Sequence, residues 1–458
     1  MSRNFRPKFM RIVSLLIVIG VVLSACQSQP AAPVAQAPTE QGQSQPASSS
    51  EGEKVDITFW SHDFAPREKL DRQYMDKFME DNPNVEIEYV LGPGDDSQYI
   101  TKLITALAGG EGPDCFNLLT LGAGPILAQD MAAPMDPKLL GFDSLDAMKE
   151  AYVEGILDGF MKDGKLYAVP SEVSIYSLFL NKQMFQDVGL DPEADAPKTW
   201  SDMLTLAENI NVEENGQLVK RAFDFTYGMP DDATSPIFTA AGMAHQLGGE
   251  VFNADQTEAL VNTEPWVKSF QFIQDWVYKE KYGNPGLTVG FISFYEGNMA
   301  MFVSGSWYSS YVQEQNPAVY DVHTVVPLPR WENAVNDTGA YMYAYGLFTN
   351  SASSPEKQQA CQKLIGELSS HPAEYLDKTG LLQPTKALQE SEIFKNTPNL
   401  DVFMNDMVGT PYWPTHPKSF EILDSLTRAL QRVVTEQEDV QQALDTAKSE
   451  IDAMLAAP

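Results

Sequence analysis

The chain has 458 residues, 43% of them hydrophobic, and carries 63 acidic against 31 basic side chains for a formal charge of −32. At about 150 residues per domain, this length predicts two or three domains with sizeable cores. So acidic a surface repels nucleic acid and anionic lipid. With no basic cluster in the sequence it also disfavours a polyanionic substrate, and neutral or cationic ligands fit better.

Four basic residues, Arg3, Arg6, Lys8 and Arg11, open the chain, and Ile12 to Ala25 is uncharged. That apolar run makes about 21 Å of helix, too short for a bilayer core of about 30 Å, and reads as a secretory signal. Leu23-Ser24-Ala25-Cys26 resembles the lipobox of bacterial lipoproteins. The resemblance implies that residues 1–25 are removed and that Cys26 is acylated. More than one acyl chain suffices for stable membrane anchoring. Residues 26–54, rich in Gln, Ala, Pro and Ser, read as a flexible linker. The protein is then expected on the extracytoplasmic face of the membrane, at the cell surface or in the periplasm.

Folding is expected from Val55. Val55 to Trp60 alternates as a strand does, residues 66–81 place Leu70, Tyr74 and Phe78 on one helical stripe, and Val85 to Tyr89 alternates again. This βαβ unit implies parallel strands. A helix with Ile100, Leu103, Ile104 and Leu107 on one face ends at Gly109-Gly110, and Cys115 to Leu119 reads as a further strand. Leu166 to Val169 reads as a strand ended by Pro170, followed by a strand over 174–180 and a helix over 182–188. Thr199-Trp200-Ser201-Asp202 is a capping box. Helices are expected at 236–247 and 264–280, strands at 299–303 and 340–349, and helices at 355–369, 418–433 and 437–455. Cys115 and Cys361 fall in a strand and a helix. Export permits a disulfide, but two separate core thiols are the favoured expectation. No metal-ligand spacing or cofactor fingerprint is present, so no cofactor is expected.

Asp163-Gly164-Lys165-Leu166-Tyr167-Ala168-Val169-Pro170 resembles the segment with which the first lobe of bacterial extracellular solute-binding proteins, of the maltose-binding type, hands over to the second. Further pieces are similar in the same order: Gly112-Pro113-Asp114, Phe179 to Phe185, Pro197-Lys198-Thr199-Trp200, Phe294 to Met301, Gly305-Ser306-Trp307 and Pro327-Leu328-Pro329. The resemblance implies an α/β, two-lobed periplasmic-binding-protein-like (type II) fold with a hinge and an interlobe ligand cleft. It places lobe 1 at 55–169 plus about 341–382 and lobe 2 at 170–340 plus about 383–458. It implies a monomer that hands a small ligand to ABC permease subunits energised by a cytoplasmic ATPase.

Ligands of α/β sheets bind beyond the carboxyl ends of the strands. That rule selects His62 and Asp63 after the first strand, Asn117 at the third and Glu172 after the crossover. A sugar needs flat rings for its C–H faces and polar groups for its hydroxyls. The resemblance offers Trp307 as a stacking ring. Tyr341 and Tyr343 lie on a second crossover, and Tyr412 and Trp413 in a loop before the C-terminal helices. Trp200, Trp266 and Trp276 fit a core, and Trp331 a cleft lid or an exposed loop. The expected ligand is a sugar or oligosaccharide, with a polyol, a glycerol phosphodiester or a polyamine as alternatives in the same role. A lipid-anchored glycoside hydrolase would need a carboxylate pair at a defined separation, and no motif singles one out. A surface adhesin without transport is the third class.

Overall fold

The computed structural model describes residues 53–93, 96–225, 234–284, 286–407 and 409–457. The signal segment, Cys26 and the linker up to residue 52 lie outside the described residues. No described helix is long and apolar enough to cross a membrane.

Two sheets organise the chain. The first contains β1 (Val55–Ser61), β2 (Val85–Leu91), β3 (Cys115–Leu119), β4 (Ala168–Ser174) and, from far along the sequence, β8 (Tyr343–Thr349). Its order is β2-β1-β3-β8-β4. β1 runs parallel to β2 and β3, and β8 lies antiparallel between β3 and β4. Alternation in β1 buries Ile57, Phe59 and Ser61, while all five residues of central β3 are buried, as expected of a strand with both faces covered. The helix Ala65–Asp81 lays Leu70, Tyr74 and Phe78 on the sheet and stops at Asn82, just before Pro83.

The expected strand end at Pro170 is corrected. Pro170 lies inside β4, which continues to Ser174, so the chain leaves the first sheet at Ile175. The pairing of β4 with β8 shifts register here: Tyr345 faces Glu172 and Gly346 faces Pro170, leaving Ser171 as a bulge. A bulge tolerates a residue that cannot donate to the ladder.

The second sheet has β5 (Tyr176–Asn181) at its centre, flanked by antiparallel β6 (Met301–Gly305) and β7 (His323–Val326). Its helices include Trp200–Ile210, Thr234–Gln246 and Glu264–Tyr278. The capping box is present: Asp202 N–H donates to Thr199 Oγ1 at 3.1 Å, and Thr199 N–H to Asp202 Oδ2 at 2.8 Å. Trp200, Trp266 and Trp276 are core residues. Trp331 is neither lid nor exposed. It is buried, and its indole N–H donates to the Met243 carbonyl at 3.0 Å.

The chain returns from β7 to β8 through 327–342 and crosses again before the helix Leu400–Met407, which packs on β5. The helix Ser419–Thr435 packs on both Thr120–Ala128 and Glu264–Tyr278, joining the two halves. At Gly242 the helix Thr234–Gln246 touches the returning segment backbone to backbone. A Cβ there would overlap the Gly339 carbonyl and stand 2.7 Å from Ala340 Cα. Gly242→Ala is therefore expected to lower stability by about 1–3 kcal/mol through overpacking, measured as a drop in urea midpoint. An unchanged midpoint would show that the helix can move aside.

The expectation of two separate thiols is also corrected. Cys115 and Cys361 form a disulfide with Cα atoms 5.6 Å apart. β8 brings them together. It sets Thr349 opposite Cys115 and leads directly into the helix Pro355–Leu368 that carries Cys361.

Candidate functional site

Three of the sequence-selected residues meet at the carboxyl end of β1. His62 stacks on Tyr345 with ring centres 4.1 Å apart. The imidazole tautomer that satisfies its neighbours carries the proton on Nδ1. It then donates to Asn117 Oδ1 at 2.7 Å, while Arg67 Nη2, 3.0 Å from Nδ1 and 3.2 Å from Nε2, donates to Nε2. Asn117 Nδ2 donates to Ser171 Oγ at 3.0 Å, and Ser171 Oγ to the Tyr345 carbonyl at 3.2 Å. Arg67 Nη1 donates to Glu172 Oε2 at 3.1 Å, and its Nε lies 3.8 Å from Asp71 Oδ2. Asp71 accepts in turn from Tyr375 at 2.5 Å and from Tyr89 at 3.0 Å. All of this is buried except the half-buried Tyr89.

Burial sets the electrostatics of this cluster. Desolvation, and then the Arg67 charge, push the His62 imidazole well below its usual range, so it is neutral. Burial also opposes the Arg67 charge, but Glu172 and Asp71 outweigh it and keep the guanidinium protonated. Burial raises the Asp71 carboxyl, against the pull of Arg67, Tyr375 and Tyr89. Glu172 and Asn117 thus have structural partners inside the protein. Asp63 is exposed beside them.

The aromatic candidates form a second group. Tyr343, half-buried, stands 6.2 Å from Tyr345, 5.9 Å from Tyr176 and 5.9 Å from Phe238, measured between ring centres. Phe238 stacks on Trp413 at 5.2 Å, and Trp413 meets Tyr341 edge-on at 5.6 Å. Trp413 and Tyr341 are 3% and 2% exposed, so they support this wall from behind. Tyr412 is half-buried and donates its hydroxyl to the Ile156 carbonyl at 3.1 Å. With Trp413 it lines a groove of about 650 Å³ between 153–159 and 407–415.

Trp307 reaches the same junction from the second sheet. It follows β6, whose last residue, Gly305, pairs with Tyr176, and it is half-buried. A Cβ at Gly305 would overlap the Trp307 indole nitrogen and stand 2.5 Å from Ser174 Oγ. Ser174 is the cross-strand partner of Tyr343, and its hydroxyl is buried without a protein partner. Ser174, Tyr176, Trp307 and Tyr343 therefore converge where the sheets meet. Sequence reasoning missed Tyr345, although alternation on β8 places it on the face of Tyr343. It also missed Arg67, Ser174 and Phe238, for which no local signal exists. Neutral rings beside fixed hydroxyl and amide groups can hold an uncharged polar ligand by stacking and hydrogen bonding.

Comparison with known proteins agrees with this architecture. Residues 73–402 match the family described as bacterial extracellular solute-binding protein. An arabinooligosaccharide-binding protein of Halalkalibacterium halodurans is 25% identical over 260 residues, 55% of this chain, and the match spans only 54% of that relative. An sn-glycerol-3-phosphate-binding periplasmic protein of Escherichia coli is 23% identical over 407 residues, covering 81% of this chain and 86% of that protein. Maltose-bound MalE3 of T. maritima superposes with a TM-score of 0.75 at 20% identity, over 87% of this chain and all of that one. A solute-binding protein of Thermotoga lettingae bound with alpha-D-tagatose gives 0.74 at 18% identity, over 88% of this chain and all of that one. These neighbours share the two-lobed α/β fold, and they are binding proteins. The family match runs through both sheets and the crossings between them, and the chain belongs to the bacterial extracellular solute-binding proteins.

Proposed function

We propose that the protein captures a neutral sugar or oligosaccharide between its two sheets by hinge closure and delivers it to the permease of an ABC importer, held at the membrane by a lipidated Cys26. The carrying observation is the junction itself. Trp307 and Tyr343 offer ring faces, Ser174 offers a hydroxyl, and the nearby cation, Arg67, is already neutralised by Glu172 and Asp71. A phosphate would find no such charge to meet there, whereas sugar C–H faces and hydroxyls are matched. Solved neighbours bound to maltose, maltotriose and tagatose support the same ligand class. Repeated crossing of the chain between sheets suits a hinge.

The test is a thermal-shift panel of saccharides, polyols, glycerol phosphates and polyamines on the purified protein. A ligand at a hundredfold excess over Kd adds about 2.7 kcal/mol of stability. Saccharides should raise the melting temperature without being turned over. A shift with glycerol phosphates and none with any saccharide would move the assignment to the ligand class of the Escherichia coli relative, and hydrolysis of a glycoside would make the protein an enzyme. Trp307→Ala should weaken the ligand at least tenfold while leaving the unliganded melting point nearly unchanged, because the ring is half-exposed. Retained affinity would exclude Trp307 as a contact. Cys26→Ser should move the protein from the membrane to the soluble fraction on cell fractionation. Unchanged membrane retention would remove the lipid anchor from the proposal.

A further inference from the structure

Beside the ion-pair cluster lies a cavity of about 10 Å³ whose wall includes Arg67, Asp71, Ser171, Leu347, Tyr375 and Gln383, all of them buried. It sits at the root of the crossings between the sheets. Ser171 is the bulge in β4, and Leu347 belongs to β8. Gln383 lies in the segment leading to the last crossing, where the Leu382 carbonyl accepts from the Val173 N–H at 2.9 Å. Two residues of this wall carry a buried polar atom without a hydrogen-bond partner among the described residues, Arg67 Nε and Gln383 Oε1. The other nitrogens of Arg67 are engaged, Nη1 with Glu172 at 3.1 Å and Nη2 with the His62 carbonyl at 2.9 Å and Ser61 Oγ at 3.0 Å. Asp71 Oδ2 stands 3.8 Å from Nε, too far for a hydrogen bond. Gln383 gains nothing by turning its amide round. Its Nε2 donates to the Leu368 carbonyl at 3.1 Å, and a flipped amide would set two oxygens against each other. Native structures pair nearly all such buried groups, with protein or with ordered water.

We infer that this cavity is a binding site for one structural water, which accepts from Arg67 Nε and donates to Gln383 Oε1. The volume admits a single water and nothing larger. The chemistry selects it too. One orphan is a donor and the other an acceptor, and water is both. A metal cation would meet the Arg67 charge, and an anion would meet the Asp71 and Glu172 carboxylates. An apolar group would leave both orphans unpaired. Asp71, on the same wall, is an acceptor for the second hydrogen, which gives the water three partners, the usual number. The site acts on the hinge rather than on the ligand. The water ties the helix Ala65–Asp81 to the segment leading to the last crossing, while Arg67 itself holds Glu172 on β4. The crossings are thereby fastened where they leave the first sheet, and closure has to bend them further along.

The first test is a crystal structure of the wild-type protein at a resolution that shows ordered water. One oxygen should lie about 2.7–3.2 Å from both Arg67 Nε and Gln383 Oε1. A direct bond between those two atoms, a cavity without density, or density with the short contacts of a metal ion would overturn the site. The second test counts long-lived internal waters in solution by magnetic relaxation dispersion of the water oxygen. Gln383→Leu removes the acceptor. It should remove one long-lived water and move the folding equilibrium about tenfold toward the unfolded chain. Gln383→Met, with an unbranched side chain, carries the count if the leucine variant does not fold. An unchanged count in a folded variant would overturn the site. Hydrogen exchange reads the effect on the hinge. The Val173 amide, which donates to Leu382, should exchange about tenfold faster in the folded variant than in the wild-type protein. An unchanged rate there would overturn the fastening of the crossings.

Discussion

Replacing Cys115 and Cys361 together by alanine is expected to lower stability by about 4–5 kcal/mol and the melting temperature by about 5 °C. The two residues are 246 positions apart in sequence, so the bond restrains a very long loop in the unfolded chain, where loop-closure entropy is greatest. In the folded state it is short-range. It joins the first residue of β3 to the helix Pro355–Leu368, which the chain enters after β8 has paired with that same strand. Both sulfurs belong to fully buried residues, so native protein should resist reductant that opens the bond readily in urea. Peptide mapping after alkylation of the denatured, unreduced chain should find both cysteines unalkylated and their peptides joined. Free thiols at both positions, or a double variant with the wild-type unfolding midpoint, would refute the bond and its contribution. Such a bond also belongs in an oxidising compartment, which agrees with an extracellular family.

This cross-link shows where local sequence stops being informative. β1, β2 and the helix between them are legible, because period-two and period-four patterns report which side chains face the core before any tertiary contact is known. The Thr199 capping box is legible for the same reason: its partners are three residues apart. The pairing of Cys115 with Cys361 is not, because it depends on β8 returning from the far side of the second sheet to insert beside β3. Pro170 misleads for a related reason. Proline is a strand terminator unless a bulge absorbs its missing N–H, and that bulge is a property of its pairing with β8. At the site, the position of His62, Asn117 and Glu172 at strand ends points to them, and the structure does gather them. It gathers them around Arg67, however, a helical residue whose neighbours are decided by the fold.

Arg67→Met is expected to cost about 3–5 kcal/mol, because it leaves Glu172 and Asp71 buried opposite an apolar side chain. The triple variant Arg67→Met, Asp71→Asn, Glu172→Gln should recover much of that loss, since the uncompensated carboxylates cause it. The pH dependence separates this explanation from a simple packing defect. In the wild-type protein His62 is held well below the ordinary value of 6.5, and burial lowers His323 and His416 in the same direction. Below pH 6.5 the unfolded chain takes up protons that the folded chain refuses, so stability falls with pH, by as much as about 1.4 kcal/mol per unit from His62 alone. In Arg67→Met the slope should be reversed at the cluster. The stranded carboxyls hold their protons to higher pH in the folded state, which stabilises the variant below the unfolded carboxylate value and is lost as pH rises through the folded one. The penalty relative to wild type should therefore shrink between pH 7 and pH 5, as read from urea unfolding at both. Removing Arg67 also takes away one of the two contacts that orient His62 against Tyr345, so ligand affinity should fall with stability. A penalty below about 1 kcal/mol would contradict the ion-pair account of this wall, and so would one that does not change between the two pH values.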